Sequence, residues 1–89
     1  ALFVNSHPGL LPSYKGYNAI KDALKYDEEH LGITVHYMIE DVDAGEIIFQ
    51  EKVSVKNLPI QDIYGLLFSV VEPFVITKAF EIIANKHFR

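Results

Sequence analysis

Cysteine is absent from the 89 residues, which excludes disulfide staples and thiolate metal sites and leaves nothing that points to an oxidising compartment. Long hydrophobic runs are absent as well. Stretches such as Leu66 to Val71 fall far short of the roughly 20 residues that a membrane-spanning helix requires. Clustered positive charge is the third absence: eight Lys and Arg are scattered against twelve Asp and Glu, a net charge of −4. Phosphate backbones are bound by grouped cations, so this composition speaks against nucleic acid as a partner. The chain has neither an initiator Met nor the basic-then-apolar layout of a signal peptide. It reads as a soluble, cytoplasmic segment of something longer.

What is present is globular. Apolar residues make up 49% and charged residues 22%, ordinary for a folded domain, and a chain this short buries about 60–65% of its unfolded surface. Ala1-Leu2-Phe3-Val4 is a short continuous apolar run, the pattern of a strand buried on both faces, ending near Asn5 to His7. Residues 8 to 17 carry Pro8, Gly9, Pro12, Ser13 and Gly16 without periodicity and read as a loop; the prolines bias His7 and Leu11 toward extended geometry. From an N-cap at Asn18, Ala19, Ile20, Ala23 and Leu24 recur at helical spacing to about Tyr26.

Asp27 to His30 is a charged connector. Ile33 to Ile39 is β-branched and aromatic and predicts a second strand, while Glu46 to Val55 alternates and predicts a third. The acidic turn Glu40 to Gly45 would join them as a hairpin. Pro59 suits a first helical position. Ile60, Ile63, Tyr64, Leu67, Val70, Val71 and Phe74 then mark an apolar helical stripe, which Pro73 should kink or divide. The sum is an α/β segment of three strands and two main helices, one partial domain over residues 1–89. Three strands and two helices rarely close both faces of a sheet, so the rest of the sheet is expected upstream. An unpaired edge and an uncovered apolar face invite association, and a homodimer or aggregation is the expectation for the segment as given.

Chemistry is expected where polar groups end strands, because ligands of open α/β sheets bind outside the carboxyl ends of the strands. Two such places exist, Asn5 with His7 after the first strand and Asp41 with Asp43 in the hairpin turn. Strand alternation would place Asn5 and His7 on the same side. An amide that donates two hydrogen bonds beside an imidazole suits acyl-type transfer: the amide polarises a carbonyl or holds an oxyanion, and the ring manages protons. Asp43 is the carboxylate that would hold the ring. Blander roles stand beside these. Asn-x-His at a strand end also serves as a cap, and Asp-x-Asp with Gly45 is ordinary turn chemistry. His36 reads as a packed or half-exposed strand residue, His30 and His87 as surface residues, and the aromatics of the last helix as core or interface.

The stretch Asn5-Ser6-His7-Pro8-Gly9-Leu10-Leu11-Pro12-Ser13-Tyr14-Lys15-Gly16, then Asn18-Ala19, Gly32-Ile33-Thr34-Val35-His36-Tyr37 and Glu40-Asp41-Val42-Asp43-Ala44-Gly45-Glu46-Ile47-Ile48-Phe49-Gln50, resembles the folate-dependent formyltransferase family. The likeness is to its glycinamide ribonucleotide branch, strong over residues 2 to about 55 and weaker through Pro73-Phe74-Val75-Ile76. It implies a Rossmann-like formyltransferase domain that transfers a formyl group from 10-formyltetrahydrofolate to a small-molecule primary amine without a metal. Residue by residue it implies Asn5, His7 and Asp43 as the catalytic set. Backbone at Glu40, Asp41, Val42 and Asp43 would line the folate pocket, and Pro8, Gly9 and Gly16 would shape the acceptor side.

The sequence also departs from the family pattern. Family members usually have serine or glycine at position 9, and glycine there is seen in some relatives that act on nucleotide-linked amino sugars, a second acceptor class. Phe68-Ser69 stands near where the glycinamide ribonucleotide enzymes often carry Glu-His. The family's N-terminal half, which supplies the phosphate-binding loop and much of the folate pocket, is not in this sequence, so these residues alone are expected to be inactive. Two readings of other kinds remain: a metal module using His7, His36 and one of Glu40, Asp41 or Asp43, and a noncatalytic module that binds folate or a protein partner.

Overall fold

The computed structural model of the chain describes residues 3–14, 18–26, 28–38 and 45–87. In order these contain β1 (Val4–His7), α1 (Ala19–Lys25), β2 (His30–Tyr37), β3 (Ile47–Ser54), α2 (Ile60–Leu66), a π-helical turn (Leu67–Val71) and α3 (Glu72–His87). The strands form one antiparallel sheet in the order β1-β2-β3. β2 lies between two neighbours and is buried from Leu31 to His36, as a central strand must be when both of its edges are paired.

The register sorts side chains between the two faces. His7 stands opposite Thr34, and Thr34 opposite Gln50; Asn5 stands opposite His36. The alternate residues Leu31, Ile33 and Val35 form the core with Ile63, Leu67, Val71, Val75 and Ala79 of the helices. Each of the Leu, Ile and Val side chains contributes about 1.5–3 kcal/mol by leaving water. On that face Phe49 meets Phe74 edge-to-face at 6.2 Å, and Ser6 Oγ donates to Glu72 Oε2 at 2.8 Å. The loop after β1 covers the opposite face. A bulge interrupts the β2–β3 pairing at Val35 and His36, four residues ahead of Glu40 in the sequence.

Several expectations change. β1 ends at His7, within the expected limits, but its described residues are not buried on both faces, because it is an edge strand that pairs only with β2 among the described residues. Residues 1 and 2 lie outside the described residues. β2 begins at His30, three residues earlier than the β-branched run suggests, because its first residues pair with Ser54, Val53 and Lys52. Asn18 occupies the N-cap of α1 but makes no side-chain cap bond. Pro59 is the N-cap of α2, with extended ψ of 153°, and the helix begins one residue later.

The last helix does not stop at Pro73: helical residues run from Ile60 to His87, divided by a π turn just ahead of the proline. Glu72 N–H bonds to Leu67 O, so the helix widens where the ring of Pro73 would crowd a preceding carbonyl. Buried residues recur at strict i+4 spacing, Ile63, Leu67, Val71, Val75, Ala79 and Ile83. Such a row drifts by about 40° per step around a helix of 3.6 residues per turn, and the wider turn takes part of that drift back. Val70 and Phe74, assigned to the buried stripe, are 60% and 45% exposed. Phe68 and Phe80 are likewise exposed and are not core.

Candidate active site

β1 delivers the Asn-x-His pair as its alternation requires. Asn5 is exposed and His7 is 3% exposed, and the two residues, two apart, lie on the same face of the strand. His7 Nε2 lies 2.7 Å from the carbonyl oxygen of Tyr14. A carbonyl only accepts, so Nε2 carries the hydrogen and the neutral ring is the Nε2–H tautomer. The chain reverses at once after His7, with Gly9 N–H donating to His7 O at 2.9 Å. Pro8 is half-buried and Gly9 buried at this reversal. A Cβ on Gly9 would lie 2.8 Å from His7 Nε2 and 3.3 Å from Ala19 Cβ; glycine is what lets the backbone pass over the imidazole.

Two further polar residues meet the same loop. Thr34, fully buried beside His7, donates through Oγ1 to Gly9 O at 2.6 Å and accepts from Leu11 N–H at 3.3 Å. Gln50 Nε2 donates to Leu11 O at 3.2 Å and to Thr34 Oγ1 at 2.9 Å. Sequence reading placed Gln50 in the alternating third strand and Thr34 inside a β-branched run, and gave neither a role. The signal that finds them is register, which aligns His7, Thr34 and Gln50 in one row across the sheet. The Leu11–Pro12 peptide in this loop is cis.

His36, expected as a packed or half-exposed residue, is 2% exposed and faces Asn5 across the strands. Its Nδ1 lies 2.9 Å from Tyr37 O. Gly45 packs on Tyr37, where any Cβ would overlap the carbonyl, and Tyr37 N–H donates to Glu46 O at 2.9 Å. The segment bearing Asp43 therefore leaves and rejoins the sheet beside the row that holds Asn5 and His36. Glu40, Asp41, Val42, Asp43 and Gly16 themselves lie outside the described residues. His30 is exposed as expected; the side chain of His87 is outside the described residues. Among the described residues no three His, Asp or Glu side chains come together as a metal site, and no helix is long and apolar enough to cross a membrane.

A three-stranded sheet with the long C-terminal helix on one face, and an Asn-x-His pair under a tight loop on the other, defines a partial α/β domain built around a polar strand end. The Formyl transferase family model matches residues 1–63, and the chain belongs to that family. The chain is 57% identical over 54 residues to the human trifunctional purine biosynthetic protein adenosine-3, covering 61% of this chain and 5% of that protein. The phosphoribosylglycinamide formyltransferase of Campylobacter jejuni superposes with a TM-score of 0.82 at 32% identity, covering 92% of this chain and 44% of that one. WlaRD, a sugar 3N-formyl transferase whose structure was solved in the presence of dTDP and 5-N-formyl-THF, superposes with a TM-score of 0.78 at 28% identity, covering 92% and 30%. The chain thus spans less than half the length of the proteins it matches.

Proposed function

We propose that the complete protein transfers a formyl group from 10-formyltetrahydrofolate to a primary amine, with glycinamide ribonucleotide as the acceptor. The observation that carries this reading is the placement of Asn5 and His7 on one face of β1, inside the stretch matched by the Formyl transferase family. The similarity to a phosphoribosylglycinamide formyltransferase and a purine biosynthetic protein favours that acceptor. The likeness to a sugar 3N-formyl transferase, together with Gly9, favours a nucleotide-linked amino sugar as the second reading.

In this mechanism the amine nitrogen attacks the formyl carbon, a C–N bond forms and the carbonyl electrons move onto oxygen. Asn5 donates to that oxyanion, as does His7 when its ring carries both hydrogens. Collapse of the adduct breaks the bond to the folate nitrogen, which takes up a proton while the new amide nitrogen gives one up. Nε2 of His7 holds Tyr14 O, and the ring so placed manages the proton movement. Asp43 serves to position the ring or a relaying water. The main chain at Glu40 to Asp43 would receive the pterin, and Pro8, Gly9 and Gly16 would border the acceptor.

The test is release of tetrahydrofolate by the complete protein from 10-formyltetrahydrofolate with a panel of amines. Turnover with glycinamide ribonucleotide alone is expected, and turnover only with an amino sugar nucleotide would move the assignment to the second acceptor. Asn5→Ala should cost on the order of 100-fold or more in kcat if the amide serves the oxyanion. Wild-type turnover by both His7→Ala and Asp43→Asn would overturn the roles assigned to them.

A further inference from the structure

Gln50 occupies an exposed position on β3, yet both hydrogens of its amide are used inward, one on Leu11 O at 3.2 Å and one on Thr34 Oγ1 at 2.9 Å. Thr34 is equally saturated: its one hydrogen goes to Gly9 O, and its oxygen accepts from Leu11 N–H and from Gln50. The loop's own backbone bonds, Gly9 N–H to His7 O and Ser13 N–H to Leu10 O, close turns within it. Among the described residues, Thr34 and Gln50 are therefore what fastens its backbone to β2 and β3. At the far end of the loop, Tyr14 holds a left-handed backbone with φ of 56° and offers its carbonyl to His7 Nε2. A left-handed non-glycine residue persists where its surroundings over-determine it.

We propose that Gln50 and Thr34 are positioning residues: by clamping the Gly9 to Leu11 backbone they hold the Tyr14 carbonyl against His7 and so keep the imidazole in its Nε2–H form. Neither touches the reacting atoms. The kinetic consequence rests on the formyl-transfer reading, but the effect on the ring does not. Without the clamp the loop shifts and Tyr14 O no longer holds Nε2. Misplacement of a reacting group by about 1 Å can cost up to about 100-fold in rate.

The experiment uses the complete protein with ¹⁵N-labelled histidine, the His7 signals being assigned by their loss in His7→Asn. Two-bond ¹H–¹⁵N correlations read the tautomer directly. Wild type is expected to show the Nε2–H pattern, Gln50→Leu and Thr34→Val a mixture, and Thr34→Ser, which keeps the hydroxyl, the wild-type pattern again. In formyl transfer the first two variants should lose on the order of tenfold to 100-fold in kcat with KM for the donor little changed, and Thr34→Ser should recover the rate. Gln50→Glu, which supplies no N–H donor at this exposed position, gives the same reading should Thr34→Val fail to fold. An unchanged His7 pattern in Gln50→Leu and Gln50→Glu overturns the proposal. A changed pattern in a protein that transfers formyl to no amine upholds the clamp and overturns the formyl-transfer reading instead.

Discussion

At the scale of single residues, Gly9 and Tyr14 show how little of the site is independent of its packing. Gly9 was notable in the sequence as a departure that bears on the acceptor; in the fold its lack of a side chain is also what leaves room for the His7 ring, only 2.8 Å from where a Cβ would sit. Gly9→Ala should push the imidazole off Tyr14 O and lower stability by about 1–3 kcal/mol through overpacking. A thermal melt of the variant superimposable on the parent would refute this. Tyr14 donates its hydroxyl to Glu28 Oε1 at 2.7 Å. That bond, then desolvation and the negative charge of Glu28, raise the phenol above its ordinary pKa of 10.0. A group raised on folding stabilises the fold below its unfolded pKa, and that contribution is lost as pH rises through the folded value. The difference in urea midpoint between the parent and Tyr14→Phe should therefore be present near neutrality and shrink above about pH 10. A difference that grew with pH would contradict the assignment.

At the scale of elements, the long helix is where pattern and packing part most clearly. The apolar stripe in the sequence was broad because Val70 and Phe74 fit a 3.6-residue period as well as Val71 and Val75 do. The π turn chooses between them by re-phasing the helix ahead of Pro73, so that the i+4 row from Ile63 to Ile83 faces the sheet. Leu67→Ala, at a fully buried position, should cost about 2–5 kcal/mol in chemical denaturation. Val70→Ala should stay within about 0.5 kcal/mol, and equal losses at the two positions would mean that the row is misassigned. The hairpin of β2 and β3 was legible from β-branched runs either side of an acidic turn. Its bulge was not, since nothing in Val35-His36 or Ile47-Ile48-Phe49 marks an extra residue until both strands are paired.

At the scale of the whole molecule, Phe74, Phe80 and Ile82 are 45%, 55% and 40% exposed along α3, and Val4, Ile76, Phe80 and Ile83 line an apolar groove of about 200 Å³ beside β1. The strand edge next to this groove is unpaired among the described residues. An edge and an apolar surface side by side favour association. The 89 residues expressed alone should scatter light as dimers or larger species, and Phe80→Ser with Ile82→Ser should lower that mass. A monomer at high concentration would show that the surface is tolerated in water.

Sequence by itself determined the order of the elements, the α/β class and the Asn5–His7 pair, because these rest on local periodicity, on turn residues and on a motif contiguous in the chain. Pairing decided the rest. Thr34 and Gln50 lie 16 residues apart and 23 or more from the loop residues they bond, and no local pattern distinguishes a threonine or glutamine that clamps a backbone from one that faces water. Only when β1, β2 and β3 take their register do His7, Thr34 and Gln50 fall into one row, because cross-strand neighbours are set by hydrogen bonding between distant segments.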